Sequence, residues 1–180
     1  MITTKQELKE YIERDMDFFH HFSIKEQVIL RLTQDPSWVI KRYLFFLRKE
    51  EYYFNTHKNL RYLYYFRKKN HLGNRLGFKI PHNCFGPGLT IYHHGEIIVN
   101  EKARIGANCK LHGGNCIGNK GRIDIAPRIG DNLDMGIGAK VLGDVKLEDN
   151  VTIGAGAVVI KTYCDSSIVL AGVPAKKISK

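Results

Sequence analysis

The chain has 180 residues, 43% of them hydrophobic, and a formal net charge of +10. This size and composition allow a sizeable buried core and exclude a disordered chain. No window reaches the ~18 consecutive apolar residues that a transmembrane helix needs. The charge is uneven: residues 41–80 hold eleven Lys/Arg and two Asp/Glu, whereas residues 1–40 hold five and seven. The basic middle segment therefore indicates an anionic partner, such as a phosphorylated cofactor, a membrane surface or a nucleic acid.

The cysteines and the first residues predict where the protein works. Cys84, Cys109, Cys116 and Cys164 form no C-x-x-C pair, and the segment "MITTKQELKE" is polar rather than an apolar export signal. We therefore expect a cytoplasmic protein with reduced, mostly structural thiols.

Residues 1–77 are predicted to form an N-terminal helical region. A helix follows Thr4 or Thr3, a second begins at Ser23 in a capping-box pattern, and a third begins at Asp35 with Pro36 in its first turn. The pattern predicts that a fourth helix, "HKNLRYLYYFRKKNHLG", ends at Gly73.

The third and fourth helices interleave aromatic residues with Arg and Lys. One interpretation is an amphipathic helix pair whose aromatics fill a core. Another is a basic, aromatic face that makes a peripheral contact with a membrane, at its inner face, or with a lipid-linked substrate. No recognition motif supports nucleic-acid binding.

A repeat of six residues begins after Phe78. Positions six apart from Val99 are all aliphatic or Met: Val99, Ile105, Leu111, Ile117, Ile123, Ile129, Met135, Val141, Leu147, Ile153 and Val159. A shifted upstream register reads Phe85, Ile91 and Ile97. Helical turns of 3.6 residues would spread these positions around the axis, whereas three short strands per coil place each of them inward. The spacing therefore predicts a parallel β-helix of hexapeptide repeats over residues 78–180.

The segment "GNKGRIDIAPR" is in phase with this repeat by count. Its Gly118, Gly121 and Pro127 nevertheless favour an extruded loop between coils. Both interpretations of residues 119–128 stay open at this point.

The motifs "IPHNCFGPGLTIYHHGEIIVN", "ARIGANCKLHGGNCIG", "APRIGDNLDMGIGAKVLGDVKLEDNVTIGAGAVVIK" and "AGVPAKKIS" resemble those of hexapeptide acyltransferases. The resemblance covers residues 35–180 and is greatest to serine acetyltransferases and their relatives in surface-polysaccharide pathways. It implies a left-handed β-helix, a homotrimer, and transfer of an acetyl group from acetyl-CoA to a hydroxyl.

The resemblance also implies roles for individual residues. Matching through Pro81, Gly86 and Gly88 places the general base at His93. An imidazole suits this role, since it titrates near neutrality and can take the proton of an attacking alcohol. The implied contacts of the cofactor are Ile137, Ala155, Lys161 and Lys176, and the hydroxyl acceptor is expected to meet Tyr92, His94, His112 and Asn115.

A metal site is the rival use of the adjacent histidines. His82, Cys84, His93 and His94 are potential ligands, but neighbouring residues of a strand point to opposite faces, and no second ligand pair accompanies them. We therefore expect no metal.

The sequence departs from the serine-specific pattern in three places, and the third of them concerns the acceptor. Phe78 stands where similar enzymes carry the Asp that orients the base, Tyr92 where an Asp often precedes it, and Ala126 where a second histidine holds the carboxylate of serine. Arg122, Asp124 and Arg128 offer no obvious replacement. We therefore expect a sugar hydroxyl of a surface polysaccharide as the acceptor, with free serine as an alternative and a catalytically inactive trimeric scaffold as a second.

Overall fold

The computed structural model describes residues 1–121 and 125–178. Within these residues, four α-helices and a 3₁₀ helix precede fourteen short β-strands. The helices are α1 (Lys5–Met16), the 3₁₀ helix Asp17–His21, α2 (Ile24–Leu32), α3 (Pro36–Asn55) and α4 (Asn59–Leu76). The strands are β1 (Phe78–Lys79), β2 (Thr90–Ile91), β3 (Ile97–Val99), β4 (Arg104–Ile105), β5 (Lys110–Leu111), β6 (Cys116–Gly118), β7 (Arg128–Ile129), β8 (Asp134–Met135), β9 (Lys140–Leu142), β10 (Lys146–Leu147), β11 (Thr152–Ile153), β12 (Val158–Val159), β13 (Val169–Gly172) and β14 (Ala175–Ile178). No described helix is long and apolar enough to cross a membrane.

The predicted helix starts are confirmed by their caps. The side chains of Thr4 and Ser23 each accept a hydrogen bond from the backbone N–H of a Glu three residues on, and the carboxylate of that Glu accepts one from the backbone N–H of the cap residue. Asp35 accepts from the backbone N–H of Ser37, and Pro36 occupies the first turn of α3. These side chains satisfy backbone N–H groups that have no partner within a helix, so they fix where each helix begins.

The predicted end of α4 at Gly73 is wrong. The helix continues to Leu76 and ends at Gly77, whose φ of 79° is left-handed. Gly73 is buried inside the helix, where an added Cβ would lie 2.7 Å from the carbonyl oxygen of Phe78. The glycine is therefore required by close packing against β1 rather than by a helix end.

The strands lie in three parallel sheets that the chain visits in turn. Sheet A has the order β1-β3-β6-β9-β12, sheet B the order β10-β7-β4, and sheet C the order β14-β13-β11-β8-β5-β2. From β2 to β12 the chain passes repeatedly from sheet C to A to B, and β13 then returns to sheet C. Within each sheet, the corresponding strands of successive coils pair in parallel. Among the described strands, only β14 is antiparallel, and it closes sheet C as a hairpin with β13. The predicted coil of three strands is confirmed.

The repeat residues point inward as predicted. The ten described members of the six-residue series are all at most 5% exposed, and Ile123 lies outside the described residues. Together with Leu44, Leu47 and Leu72 of the helices they form one continuous apolar core. The helical region and the coil therefore share their interior.

The register identifies an insertion of six residues. Lys140 of β9 pairs with Val158, 18 residues on, whereas Cys116 of β6 pairs with Lys140, 24 residues on. The extra residues fall between β6 and β7, in the segment predicted to be extruded. A six-residue insertion leaves the repeat in phase, which explains why the count alone did not detect it.

Candidate active site

The four turns that lead from sheet C to sheet A stack on one another and form one edge of the coil, here called the C–A edge. They comprise residues 92–96, 112–115, 136–139 and 154–157, between β2 and β3, β5 and β6, β8 and β9, and β11 and β12. Backbone hydrogen bonds connect successive turns: Gly138 N–H donates to Gly113 O, and Gly156 N–H donates to Ile137 O, both at 2.8 Å. Left-handed backbone at Gly114, Gly138 and Gly156 makes these turns tight.

His93 lies at one end of this edge. Counted from the last residue of each sheet C strand, His93 occupies the same place as Gly113, Ile137 and Ala155 in the following turns. Six residues separate Ile91 from Ile98, whereas four separate their partners Leu111 and Cys116, so the histidine pair occupies a turn that is two residues longer. Gly113 leaves the neighbouring place without a side chain, and an added Cβ there would lie 3.7 Å from Cβ of His93.

The side chains of His93 and His94 are both exposed. Among the described residues, ring nitrogen contacts are found for His82 and His112, and neither His93 nor His94 forms a hydrogen bond through its imidazole. Phe78, which stands where an orienting Asp was expected, is 6% exposed and packs edge-on against Tyr43 at 5.2 Å. The described part of the chain thus leaves His93 accessible and without a carboxylate to orient it.

Tyr92 and His112 form an aromatic wall beside His93. Their ring centroids are 4.6 Å apart, and Tyr92 also meets the ring of Phe18 edge-on at 5.3 Å. His112 Nε2 lies 3.0 Å from Asp134 Oδ1, which fixes the orientation of its ring. The helical region therefore reaches the site through Phe18. Neither Phe18 nor Asp134 was predicted to belong to the site. Phe18 lies outside the motifs, and Asp134 lies within one, but its contact with His112 depends on the packing of one coil on the next.

Asn115 does not fit its predicted role in contacting the acceptor. It is 2% exposed, its Oδ1 accepts from Gly113 N–H at 2.9 Å, and its Nδ2 donates to Gly136 O at 2.9 Å. Because Cys116 pairs with Ile98, Asn115 lies opposite Ile97, which is buried. Asn115 therefore occupies an inward position of the coil. Asn115 therefore holds together two turns of the C–A edge from inside.

The four residues expected to bind the cofactor divide between two edges. Ile137 is 60% exposed and Ala155 is also exposed, and they lie one coil apart on the C–A edge. Lys176 pairs with Ala171, which lies directly against Gly154 at the far end of the same edge. Lys161 follows β12 and lies at the next edge, between sheets A and B. Within one chain, therefore, Lys161 is not brought together with the other three.

The four potential metal ligands are dispersed. His82 Nδ1 lies 3.1 Å from the buried carboxylate of Glu50, and its ring packs on Phe54. Cys84 is buried, and burial raises its pKa to about 12. Within residues 1–121 and 125–178, no group of three or more His, Cys, Asp or Glu side chains is arranged to hold a metal ion.

The segment that would carry the second histidine is described only in part. Ala126 is 5% exposed, and Arg128 lies on β7, where it is stacked between Arg104 and Lys146 on the outer face of sheet B. Arg122 and Asp124 lie outside the described residues.

Comparisons with known proteins agree in naming one kind of enzyme. The chain is 34% identical over 116 residues to a serine acetyltransferase of Synechococcus elongatus, covering 62% of this chain and 47% of that protein. It is 33% identical over 102 residues to a serine acetyltransferase of Mycobacterium tuberculosis, covering 56% and 44%. The chain thus spans about half the length of the curated relatives it matches. No protein-family model matches it.

Solved structures extend the similarity to the helical region. The serine acetyltransferase of Neisseria gonorrhoeae superposes with a TM-score of 0.72 and 26% identity, covering 98% of this chain and 66% of that one. The soybean serine acetyltransferase apoenzyme gives a TM-score of 0.74 at 20% identity, covering 97% and 70%. The similarity of fold therefore includes both the helices and the parallel sheets.

Proposed function

We propose that this protein is an acetyl-CoA-dependent O-acetyltransferase in which His93 is the general base. The observation that carries the proposal is the position of His93 on the C–A edge, in line with Gly113, Ile137 and Ala155. The similarity to serine acetyltransferases over both regions of the chain supports it.

The proposed chemistry follows from this position. The acceptor hydroxyl attacks the thioester carbonyl while His93 takes its proton; the C–S bond then breaks, and the proton passes from His93 to the sulfur of CoA. The products are an acetyl ester and CoA thiol, and His93 returns to its neutral form. A positioned base of this kind contributes about 10²–10⁴-fold.

The C–A edge suits an extended acyl carrier. His93 and Ala155 are separated by three strand spacings, or ~14 Å at ~4.8 Å each. The two intervening turns carry glycine at Gly113 and Gly138, and Gly156 follows Ala155. We propose that the pantetheine arm of CoA follows this edge past Ile137 and Ala155, with Lys176 at the far end meeting phosphate groups. One of the similar structures is a serine acetyltransferase in complex with CoA.

We further propose a homotrimer of left-handed coils. The position of Lys161 on a different edge supports this, because Lys161 reaches a CoA molecule on the C–A edge only from a neighbouring subunit. Light scattering at micromolar concentration tests the assembly, and a fully active monomer would contradict it.

The comparisons favour L-serine as the acceptor over a sugar, which reverses the order expected from the sequence. The named relatives are serine acetyltransferases, and one similar structure contains serine bound to the Neisseria gonorrhoeae enzyme. We therefore propose serine as the first acceptor to test.

A sugar hydroxyl remains the second candidate because of two observations. Ala126 supplies no partner for a carboxylate, and the wall of Tyr92 and His112 beside His93 offers ring faces suited to stacking on a sugar. An unpaired buried charge costs several kcal/mol, so a serine site needs a cation that the described residues do not bring to His93.

A thiol-release assay with acetyl-CoA separates these acceptors. L-serine, homoserine, nucleotide sugars and oligosaccharides are compared at equal concentration. A kcat/KM for L-serine of about 10⁴ M⁻¹s⁻¹ or more supports serine. Release with sugars alone supports the second candidate. An inactive scaffold predicts neither release nor a thermal shift with acetyl-CoA, whereas binding at 100 times Kd adds ~2.7 kcal/mol of stability.

A further inference from the structure

The accessible surface of the hairpin formed by α3 and α4 carries charge of one sign only. Between Pro36 and Leu76 the sole acidic residues are Glu50 and Glu51, which are at most 1% exposed. Glu50 lies 2.6 Å from the buried Lys69, and Glu51 lies 3.2 Å from the buried Arg48. The other basic side chains of the hairpin reach its surface: Lys41, Arg42, Lys49, Lys58, Arg61, Arg67, Lys68 and Arg75.

Large apolar side chains project from the same hairpin at the start of α4. Leu60 is 86% exposed, and Leu63 and Tyr64 are each 56% exposed. At 3.6 residues per turn, these three residues share one face of α4 with Arg67, Lys68, His71 and Arg75, all of which are exposed. We call these seven residues the outer face of α4.

Aromatic rings and cations are interleaved next to the outer face. Lys68 Nζ lies 5.6 Å from the ring centroid of Tyr64, and the Arg61 guanidinium lies 5.6 Å from that of Tyr53. Arg42 and Lys49 lie over Phe46 and Phe45 in the same way on α3. Such pairs place apolar rings beside basic groups, which is the combination of side chains found at a lipid interface.

We propose that the outer face of α4 docks the protein on an anionic lipid surface, with Leu60 and Leu63 entering the interfacial region and Arg67 and Lys68 meeting lipid phosphates. This inference rests on the helical hairpin alone and does not depend on the transferase activity. It identifies a lipid surface, rather than a cofactor, as the anionic partner of the basic residues 41–80.

Two features of the hairpin argue against other occupants. A second copy would bring an equally cationic face against this one, and like charges repel at contact distance. A nucleic acid would neutralise the basic residues but leave Leu60 and Leu63 without an apolar partner. A bilayer with anionic head groups satisfies both kinds of side chain.

Vesicle sedimentation of the full chain tests the proposal. Phosphatidylcholine vesicles with and without phosphatidylglycerol serve as probes, at low and at high salt. We expect binding only to the anionic vesicles, and loss of binding in high salt as the charges are screened. Equal binding to vesicles without phosphatidylglycerol would overturn the anionic requirement.

Variants of the outer face identify the docking residues. Arg67→Gln and Lys68→Gln should each weaken binding about fivefold, and Leu60→Ser with Leu63→Ser should weaken it roughly tenfold or more. Arg31→Gln and Leu32→Ser, on the equally exposed α2, are matched controls that should bind as the unaltered protein does.

Three results would contradict the proposal. Loss of binding in the α2 controls would show that the docking surface is not confined to α4. A leucine variant that changes the oligomeric state in light scattering, without a change in vesicle binding, would identify the face as an interface between copies. Tight binding of a duplex oligonucleotide that survives Leu60→Ser would identify a general polyanion site. Circular dichroism of each variant confirms that the helices are retained, so each of these outcomes is decisive.

Discussion

Asp15 and Arg48 form a buried ion pair that attaches the helices to the segment leading into the candidate active site. Arg48 Nε lies 2.7 Å from Asp15 Oδ2, and both residues are 1% exposed. Asp15 Oδ1 also accepts from the backbone N–H groups of Gly88 and Leu89, just before β2. Burial alone lowers the pKa of Arg48, but the charges of Asp15 and Glu51 raise it above its usual value, so the guanidinium is held in its charged form.

Removal of this guanidinium should be strongly destabilising. In Arg48→Met, the carboxylates of Asp15 and Glu51 remain buried without their cation, which costs about 3–5 kcal/mol. Urea denaturation measures the loss. Arg42→Met, on the accessible side of α3, is the control and should stay within ±0.5 kcal/mol. Equal stability of the two variants would show that the pair does not hold the regions together.

Gly73→Ala should destabilise the protein although alanine favours helices. Alanine is better than glycine by about 1 kcal/mol in an ordinary helix, but a Cβ here would lie 2.7 Å from Phe78 O and 3.2 Å from the ring of Tyr43. Asn74→Ala, one residue on and exposed, is the control and should be neutral or slightly stabilising. A Gly73→Ala variant that melts at a higher temperature than the unaltered protein would contradict the packing account.

Asn115 supports the turns of the C–A edge from within, and its loss should affect both stability and turnover. Asn115→Ala leaves Gly113 N–H without its acceptor and should cost about 1–3 kcal/mol. Asn115→Asp retains that acceptor but loses the donor to Gly136 O and buries a carboxylate beside that carbonyl, so it should be destabilised at least as much. If both variants turned over at the normal rate and unfolded at the normal urea concentration, the amide would have no supporting role.

The coil could be predicted because its repeat is visible in the local sequence. An aliphatic residue or Met at every sixth position directly indicates a side chain that points into the core. Helix starts were also predictable, since Thr4, Ser23 and Asp35 act on backbone within three residues. Asn115 was misjudged because a polar side chain at an inward place is recognisable only once the backbone groups around it are known. Whether Glu50 and Glu51 are buried depends likewise on the packing of distant segments around α3, so the wholly cationic surface of the hairpin was not evident from net charge.

The thiols should differ sharply in reactivity. Burial raises the pKa of Cys84 to about 12, and it also raises the pKa of the buried Cys109 above its usual value, so at pH 8 almost no thiolate is present at either. Cys164 is exposed. Iodoacetamide followed by mass spectrometry should therefore label Cys164 first. Early labelling of Cys84 in the folded protein would contradict the buried position of its thiol.

The central claim is that His93 is the base of an acetyl transfer, and turnover of acetyl-CoA by His93→Ala tests it most directly. With the best acceptor found, we expect kcat to fall by about 10²–10⁴-fold, while the thermal shift on adding acetyl-CoA stays close to that of the unaltered protein. His94→Ala, the neighbouring control, should lose far less. A His93→Ala variant with normal turnover would contradict the account, and an inactive His94→Ala beside it would assign the base to the next residue.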